Sequence, residues 1–266
     1  MQLVYDGSFD GLLSAVFDVF EYKFTAVDFA SGDNYQKNIF DKVHEVVTDE
    51  SRAGRVWKGL QLRLPAHACE DLYKAFLSEQ QGIENVLLHY IQYAFASLQS
   101  IEKDFSNPAV LTVAQTAKMV HREKHRMEAF IRFQLTKDSL YYAVIEPDFN
   151  VLPLIKKHFL DRYADQQWLI YDARRKYGLY YDKEQVDTVS MRFTEEAGTG
   201  KEIRNLYDES EELYQKLWKQ YFSSVNISAR KNLKLHIQHM PRRYWKYLPE
   251  KDPAHSALPG RSRPRE

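Results

Sequence analysis

The sequence predicts an α+β protein in which an antiparallel sheet of about five strands packs with N-terminal and C-terminal helices. Within residues 129–193, segments with strand-like and helix-like periodicity follow in the order strand, strand, helix, strand, strand, strand. Three of these strands follow in close succession, which favours antiparallel pairing. Before and after that region, apolar residues recur mainly at three- and four-residue spacing, which is typical of amphipathic helices.

The composition is that of a folded domain. The chain has 266 residues, of which 44% are hydrophobic and 14% are aromatic, so it can bury a large core. We expect a single compact domain over residues 1–250, with a helical part at 1–128, a sheet-rich part at 129–195 and a second helical part at 196–250. Residues 251–266 are rich in proline and poor in bulky apolar residues, so we expect a disordered tail there.

The first elements are a strand and a helix. "QLVY" near the N-terminus predicts a short strand, which Asp6-Gly7 ends with a turn. A helix is predicted from Phe9, because apolar residues follow at helical spacing and Ser8 can cap its N-terminus. Residues 25–55 are acidic and predict no clear element.

Three more helices are predicted before residue 129. "EDLYKAFLSE" is one candidate, and an amphipathic stripe from Ile83 to Ile101, which includes Leu98, is a second. Asn107-Pro108 begins the third, since asparagine caps helices and proline is favoured at the first helical position. This helix is expected to end near Met127.

The sheet is predicted to start at residue 131. Ile131, Phe133 and Leu135 alternate with Arg132 and Gln134, which predicts a half-buried strand with Arg132 and Ile131 on opposite sides. "LYYAVIEP" predicts the second strand and "NVLPLIKKHFLDRY" a helix with proline tolerated in its first turn. "QWLIYD", "YGLYYD" and "VDTVSMRF" predict three more strands. A loop is expected at 195–200 and a final helix at 203–222.

The charge and cysteine content exclude several classes of function. The formal net charge is zero, so any affinity for nucleic acid must come from a local patch. Cys69 is the only cysteine, which excludes an internal disulfide, a four-cysteine zinc site and an iron–sulfur cluster held by this chain alone. The N-terminal stretch lacks the basic region of a signal peptide, and no run approaches 18 apolar residues. We therefore expect a cytoplasmic protein without membrane contact.

No motif predicts a metal ion or a cofactor. His121 and His125 lie one helical turn apart, but Arg122 between them opposes a cation, and His236 and His239 have no obvious third ligand. "EEAGTGKE" resembles a phosphate-binding loop, but it lacks the first glycine and the Ser or Thr after the lysine.

Positive charge is concentrated in three segments, at 118–132, 172–182 and 226–250. Arginine offers a planar fork to phosphate, and aromatic rings can stack on bases, so these segments predict a nucleic-acid-binding face. The alternative is that they are solvated faces that pair with the acidic segments. The candidate binding residues are Arg122, Arg126, Arg132, Arg174, Arg175, Arg242, Arg243 and Lys246.

The segment "HIQHMPRRYWKYLPE" (residues 236–250) can either anchor the C-terminal region or grip an anion. We expect a mixed role, in which Trp245 and one of Tyr244 or Tyr247 are buried. Arg242 and Arg243 follow a proline that prevents a continuous helix, so their side chains are expected to reach outward at a bend.

A group of acids with one histidine gives a second candidate site. His158 and Asp161 lie within one turn of a predicted helix, and Glu146 and Asp172 fall at predicted strand ends. If these ends converge, the four residues are candidate catalytic groups for acid–base chemistry. The alternative is a structural network that ties the helix to the sheet.

Several long segments resemble a bacterial family of DNA-metabolism or DNA-repair proteins, a domain of unknown function. They are "YDGSFDGLLSAVF", "MEAFIRFQ", "YYAVIEPDFNVLPLIKKHFLDRYADQQWLIYDARRKYGLYYD" and "MPRRYWKYLPE". The resemblance implies a gene encoded beside a DNA-repair radical-SAM protein, and relatives in which the domain is fused in front of a uracil-DNA glycosylase domain. It implies no catalytic residues.

Three hypotheses follow. The leading one is an accessory protein that binds nucleic acid and acts with a radical-SAM partner enzyme. The second is an enzyme that acts on a nucleobase or nucleotide through the acid–histidine group, and the third is an interaction scaffold without nucleic-acid contact. The sequence leaves open whether the protein is an enzyme.

Overall fold

The computed structural model describes residues 1–31, 42–190, 237 and 239–251. The chain divides into two compact units, Met1–Arg122 and Glu123–Glu266, and each unit has its own sheet. The prediction of a single domain over residues 1–250 stays a prediction, which one cooperative unfolding transition would support.

The first unit contains a three-stranded parallel sheet with β1 (Gln2–Tyr5) between β2 (Asp28–Ser31) and β3 (Val43–Glu45). Its core joins apolar residues of β1 to those of the helices, and Leu3, Val16 and Leu60 are fully buried. The helices are α1 (Phe9–Glu21), α2 (Glu50–Arg63), α3 (Ala66–Phe76), α4 (Ile83–Ala96) and α5 (Pro108–Phe130), the last of which crosses the unit boundary.

The predicted helix starts are confirmed by their caps. The Ser8 hydroxyl accepts a hydrogen bond from the backbone N–H of Gly11 at 2.9 Å, which fixes the start of α1. The Asn107 side chain accepts from the N–H of Ala109 at 2.9 Å, one residue after the proline that begins α5.

Three elements lie where the sequence predicted none or the wrong class. β2, β3 and α2 fall partly or wholly within residues 25–55, where no clear element was predicted, so the largely helical part at 1–128 contains two strands besides the predicted one at its N-terminus. α4 ends at Ala96, and Leu98 is 103% exposed after it, although Ile101 is buried as predicted. Leu98 matches the helical spacing by chance, because the chain leaves the helix before reaching it.

The second unit contains the five-stranded sheet, in the order β4-β5-β6-β7-β8. The sequence order of strands and helix is as predicted, with α6 (Leu152–Arg162) between the second and third strands. The purely antiparallel pairing is wrong, because β5 and β6 are parallel. A helix between two neighbouring strands is a crossover, which returns the chain in the same direction. The strands are β4 (Gln134–Leu135), β5 (Tyr141–Ile145), β6 (Trp168–Asp172), β7 (Tyr177–Tyr181) and β8 (Val186–Ser190).

The predicted first strand begins three residues late. α5 continues to Phe130, so β4 has only two residues, and Arg132 lies between the two elements. Its Nη1 donates to the carbonyl of Ala129 at 2.6 Å and to that of Ile131 at 3.2 Å. A basic side chain thereby satisfies carbonyls at a helix C-terminus, so strand alternation does not set the direction of Arg132.

The remaining predictions concern the C-terminal residues and the hydropathy of the helices. The predicted loop at 195–200 and helix at 203–222 lie outside the described residues, as do residues 252–266 of the predicted tail. Lys251, the first residue of that predicted tail, is described and ends a 3₁₀ helix, Pro249–Lys251. Among the described helices, none combines the length and the apolar character needed to cross a bilayer.

Gly178→Ala is expected to lower the free energy of unfolding by about 1–3 kcal/mol, because a Cβ there would lie 2.7 Å from the backbone oxygen of Ile170 in the neighbouring strand. Gly54→Ala in α2 is the matched control, since an added Cβ meets nothing within 4 Å. This control should be neutral or stabilising by up to about 1 kcal/mol, because alanine favours helix. Equal losses of stability in thermal denaturation of the two variants would contradict the prediction.

Candidate nucleic-acid interface

Three segments of the second unit meet around Asp148. They are the loop 146–150 after β5, the turn 172–176 between β6 and β7, and the C-terminal segment 241–251. We call the six cations that these segments and the adjoining part of α5 carry the basic cluster. They are Arg126, Arg174, Arg175, Arg242, Arg243 and Lys246.

Glu123 on α5 is the buried centre of this arrangement. Its side chain is 1% exposed, and its Oε1 accepts from the backbone N–H of Asp148 at 2.9 Å and from the Tyr244 hydroxyl. Its Oε2 faces Arg243 Nη2 at 3.3 Å and Arg126 Nη1 at 3.4 Å. A buried carboxylate with four donors is well compensated, and it holds the C-terminal segment against the loop.

Asp172 organises the turn in the same way. Its side chain is 0% exposed, and Oδ1 accepts from the backbone N–H groups of Arg174 and Arg175 at 2.9 and 3.1 Å. Its Oδ2 pairs with Arg175 Nη1 at 2.9 Å. Arg175 also donates to the carbonyls of Pro147 and Asp148, and Arg174 donates to that of Asp148 at 3.1 Å. Both arginines are therefore fixed to the loop 146–150.

Glu146 ties the same loop to the C-terminal segment. Its Oε2 accepts from Lys246 Nζ and, at 2.7 Å, from the Tyr247 hydroxyl. These hydrogen bonds, chiefly the one from Lys246, lower the pKa of the Glu146 carboxyl. Burial and the bond to Glu146 raise the pKa of Tyr247 to about 12, so the phenol stays a donor.

The contribution of Glu146 to the stability of the folded chain is expected to disappear in acid. Because its folded-state pKa lies below the unfolded value, its stabilising effect is fully present above the ordinary carboxyl pKa and is lost as the pH falls through the lowered one. The melting temperature of the natural chain should therefore exceed that of Glu146→Gln at neutral pH. This difference in melting temperature should vanish below roughly pH 4. A gap that stays constant down to pH 3 would show that the carboxylate charge is irrelevant.

The burial of Tyr244 confirms the predicted aromatic anchor, but the prediction that Trp245 is buried as well is wrong. Tyr244 is 2% exposed and Leu248 is buried, whereas Trp245 is half-buried and donates from Nε1 to the carbonyl of Met240 at 3.1 Å. A 3₁₀ helix, Arg242–Tyr247, follows Pro241. Arg242 and Lys251 lie over the Trp245 ring, at 5.8 and 5.4 Å from its centroid.

The predicted binding residues divide by the partners they have. Arg126, Arg175, Arg243 and Lys246 are each paired with a carboxylate. Arg174 and Arg242 are exposed, and within the described residues neither has a carboxylate at ion-pair distance. Two candidates lie outside the cluster: Arg132 caps the end of α5, and Arg122 is exposed on α5 in the first unit.

The acid–histidine candidates have separate partners. Glu146 pairs with Lys246, and Asp172 with Arg175, whereas His158 Nδ1 lies 4.0 Å from Glu128 and Asp161 is exposed. Asp172 is fully enclosed, which leaves it no access to a substrate. No described contact joins His158 to Glu146 or Asp172, so the arrangement lacks the geometry of an acid–base pair. Within the described chain, no group of three or more potential ligands could hold a metal ion.

The sequence patterns did not point to Glu123, although it holds the basic cluster together. Glu123 lies 120 residues before Arg243 in sequence, so no local spacing relates them. The available signal was a carboxylate at an apolar position of α5, between Val120 and Met127, which are both buried.

The comparisons with known proteins identify a family and little else. The profile of a family described as a domain of unknown function, DUF4130, matches residues 81–250. No curated protein sequence matches the chain. Among solved structures, a pGpG-specific phosphodiesterase, PggH from Vibrio cholerae, aligns over 85% of this chain and 99% of its own, with 12% identity and a TM-score of 0.32. That similarity is too low to support a conclusion on fold or function.

Proposed function

We propose that this chain, which belongs to the DUF4130 family of domains of unknown function, binds nucleic acid through the basic cluster and acts as an accessory to a partner enzyme. The observation that supports the proposal most is the pair Arg174 and Arg242. Both are exposed and without a carboxylate partner in the described chain, in a cluster whose other four cations are each paired with a carboxylate.

The anchoring makes the cluster suitable for phosphate. Six cations face four carboxylates, Glu123, Glu146, Asp148 and Asp172, so the cluster has an excess of positive charge. Fixed arginines lose little side-chain entropy on binding, and a planar guanidinium can donate two hydrogen bonds to one phosphate. Contacts of this kind give affinity and position rather than sequence preference. We therefore expect binding with weak dependence on base sequence.

A salt titration of DNA affinity tests the proposal. Arg174→Ala combined with Arg242→Ala should weaken binding and reduce the slope of log K against log salt by up to about two units. The matched control is Lys157→Ala combined with Arg162→Ala, which removes the same charge from exposed positions of α6. The control should keep most of the affinity and the slope.

Two outcomes would contradict the proposal. One is a natural chain that does not shift single-stranded or double-stranded DNA at low salt. The other is an equal loss of affinity in both double variants, which would indicate a diffuse charge effect without a defined site. Arg243 and Lys246 are unsuitable test positions, because their pairs with Glu123 and Glu146 hold the C-terminal segment in place.

The partner enzyme in this proposal is the radical-SAM protein that the family resemblance implies. A pull-down with that protein tests the accessory role, and treatment with nuclease separates the alternatives. Capture that needs DNA supports a ternary complex. Capture that survives nuclease, together with absence of DNA binding, would replace the proposal with that of an interaction scaffold.

A further inference from the structure

A cavity of about 680 Å³ opens in the first unit, among α1, α2 and α3. Its volume lies within the range of small-molecule sites. All of its lining residues precede residue 81, so it falls outside the matched family domain. The basic cluster belongs to the other unit, and nothing proposed above uses this cavity.

The wall of the cavity is aromatic. The Phe9 ring meets the rings of Trp57 and Tyr73 edge to face, with centroids 5.4 and 5.0 Å away. Such packing holds the three side chains in place, and their π faces can accept a cation. Gly54 also lines the cavity, and an added Cβ there would meet nothing within 4 Å, so α2 leaves the space open.

Acidic residues surround the aromatic wall. Asp10, Glu50 and Glu70 line the cavity and are exposed, and no lysine, arginine or histidine lines it. Glu70 has Lys74 at 3.4 Å, whereas Asp10 and Glu50 have no ion pair within the described chain. Burial raises the pKa of Tyr73, and the charge of Asp10 raises it further, which places that carboxylate near the phenol. The cavity therefore repels anions and attracts cations.

We infer that this cavity binds an organic cation, an ammonium or guanidinium group on an apolar body. Aromatic faces with nearby carboxylates recognise such groups by cation–π attraction and charge. Asp10 and Glu50 also lie in the first turns of α1 and α2, where acids favour the helix N-terminus. The two carboxylates stabilise their helices from these positions, and their negative charges still line the cavity. The ligand can be a free amine or a lysine or arginine side chain of a partner protein, since both offer the same chemistry.

Calorimetric titration with four probes tests the inference. Choline represents free amines, the Nα-acetyl amides of lysine and arginine represent partner side chains, and 3,3-dimethylbutan-1-ol is the neutral isostere of choline. Cys69 gives a second readout at the site, because it is the only cysteine of the chain and lines the cavity. Cys69 is 4% exposed and burial raises the pKa of its thiol, so its alkylation requires an opening of the structure, which a bound probe should make rarer.

We expect at least one cation to bind and to protect Cys69, and the neutral isostere to bind at least about tenfold more weakly. Preference for choline assigns the site to a free amine, and preference for an amino-acid amide assigns it to a partner side chain. Failure of all three cations to bind would overturn the inference. Equal binding of choline and its isostere would also overturn it, because the cavity would then be only apolar.

Variants locate the binding and separate it from folding. Gly54→Leu should fill the cavity and abolish binding. Lys58→Leu places the same side chain at an exposed position of α2 that is not part of the lining, and it should not weaken binding, since the charge it removes is positive. Glu50→Gln should weaken binding of the cation several-fold and leave the affinity for the neutral isostere unchanged. Retained affinity in a folded Gly54→Leu variant would place the ligand elsewhere and overturn the inference. DNA binding should be unchanged in every variant.

Discussion

Glu123→Ala is expected to lower the free energy of unfolding of the second unit by about 3–5 kcal/mol. The change removes a buried carboxylate and leaves Arg126, the Tyr244 hydroxyl and the backbone N–H of Asp148 without their acceptor. Arg243 loses one of its two carboxylates and keeps Asp148. Tyr244 is buried beside it, so its hydroxyl cannot turn to water. The loss should exceed that of a core apolar truncation of similar size, because a buried donor set remains uncompensated.

Limited proteolysis gives the local readout for this prediction. Trypsin should cleave after Arg243 and Lys246 much faster in Glu123→Ala, since the C-terminal segment loses its tie to α5. Glu128→Ala on the same helix is the control, because that residue is half-buried and its partners, Lys124, His125 and His158, lie outside the C-terminal segment. A stability loss of less than about 1 kcal/mol in Glu123→Ala, or equal losses in both variants, would show that Glu123 does not hold the segment.

Glu123→Gln separates the hydrogen bonds from the charge. Glutamine keeps an acceptor for Tyr244 and the Asp148 N–H but offers no charge to Arg126 and Arg243. We expect an intermediate loss, with the DNA affinity of the basic cluster retained or slightly raised because a negative charge is removed. Reduced DNA affinity in a folded Gln variant would mean that Glu123 also positions the binding groups.

Much of the fold could be predicted because local patterns determine it. Ser8 and Asn107 mark the starts of α1 and α5, because their side chains cap helix N-termini. The segments that form β5, α6, β6 and β7 have the hydrophobic spacing of strands or helices and are separated by turn residues. These signals depend only on neighbouring residues in the chain, and the structure follows them to within a few residues.

The elements that sequence analysis missed depend on distant contacts. β2 and β3 are three or four residues long, contain polar side chains and gain their partner, β1, from elsewhere in the chain. The parallel pairing of β5 and β6 is a property of the α6 crossover, which no residue pattern within either strand records. Pattern alone therefore predicts which segments are strands better than how they pair.

The candidate site was predictable in the same partial way. Composition identified the basic residues, but Glu123 and Glu146 are joined to the loop 146–150 or the C-terminal segment by contacts across 25 to 121 residues. Only the pairs of Arg126 with Glu123 and of Arg175 with Asp172 are local in the sequence. Arg242 and Arg243 are adjacent and equivalent in the sequence, yet only Arg243 reaches Glu123 and Asp148. Substitutions at Arg174 and Arg242 are therefore a better test of nucleic-acid binding than substitutions at the adjacent pair Arg242 and Arg243.

Asp172→Ala is the second change expected to be severe, and it should lower the free energy of unfolding by about 3–5 kcal/mol. Asp172 is fully buried, caps the N–H groups of Arg174 and Arg175 and neutralises the guanidinium of Arg175. Asp172→Asn should cost less, since it keeps a cap acceptor for the two N–H groups.

A double-mutant cycle with Arg175→Met isolates the ion pair from the cap. Removing Arg175 alone leaves a buried carboxylate uncompensated, so each single variant should be costly and the double variant should cost clearly less than their sum. Because Arg175 also donates to Pro147 and Asp148, the double variant should still loosen the loop 146–150, and DNA affinity should fall even where stability is partly restored. Simple additivity of the two changes would mean that the turn is held by the cap alone. Arg175 would then act as a surface cation, and the separation of the basic cluster into anchored and available members would fail at this position.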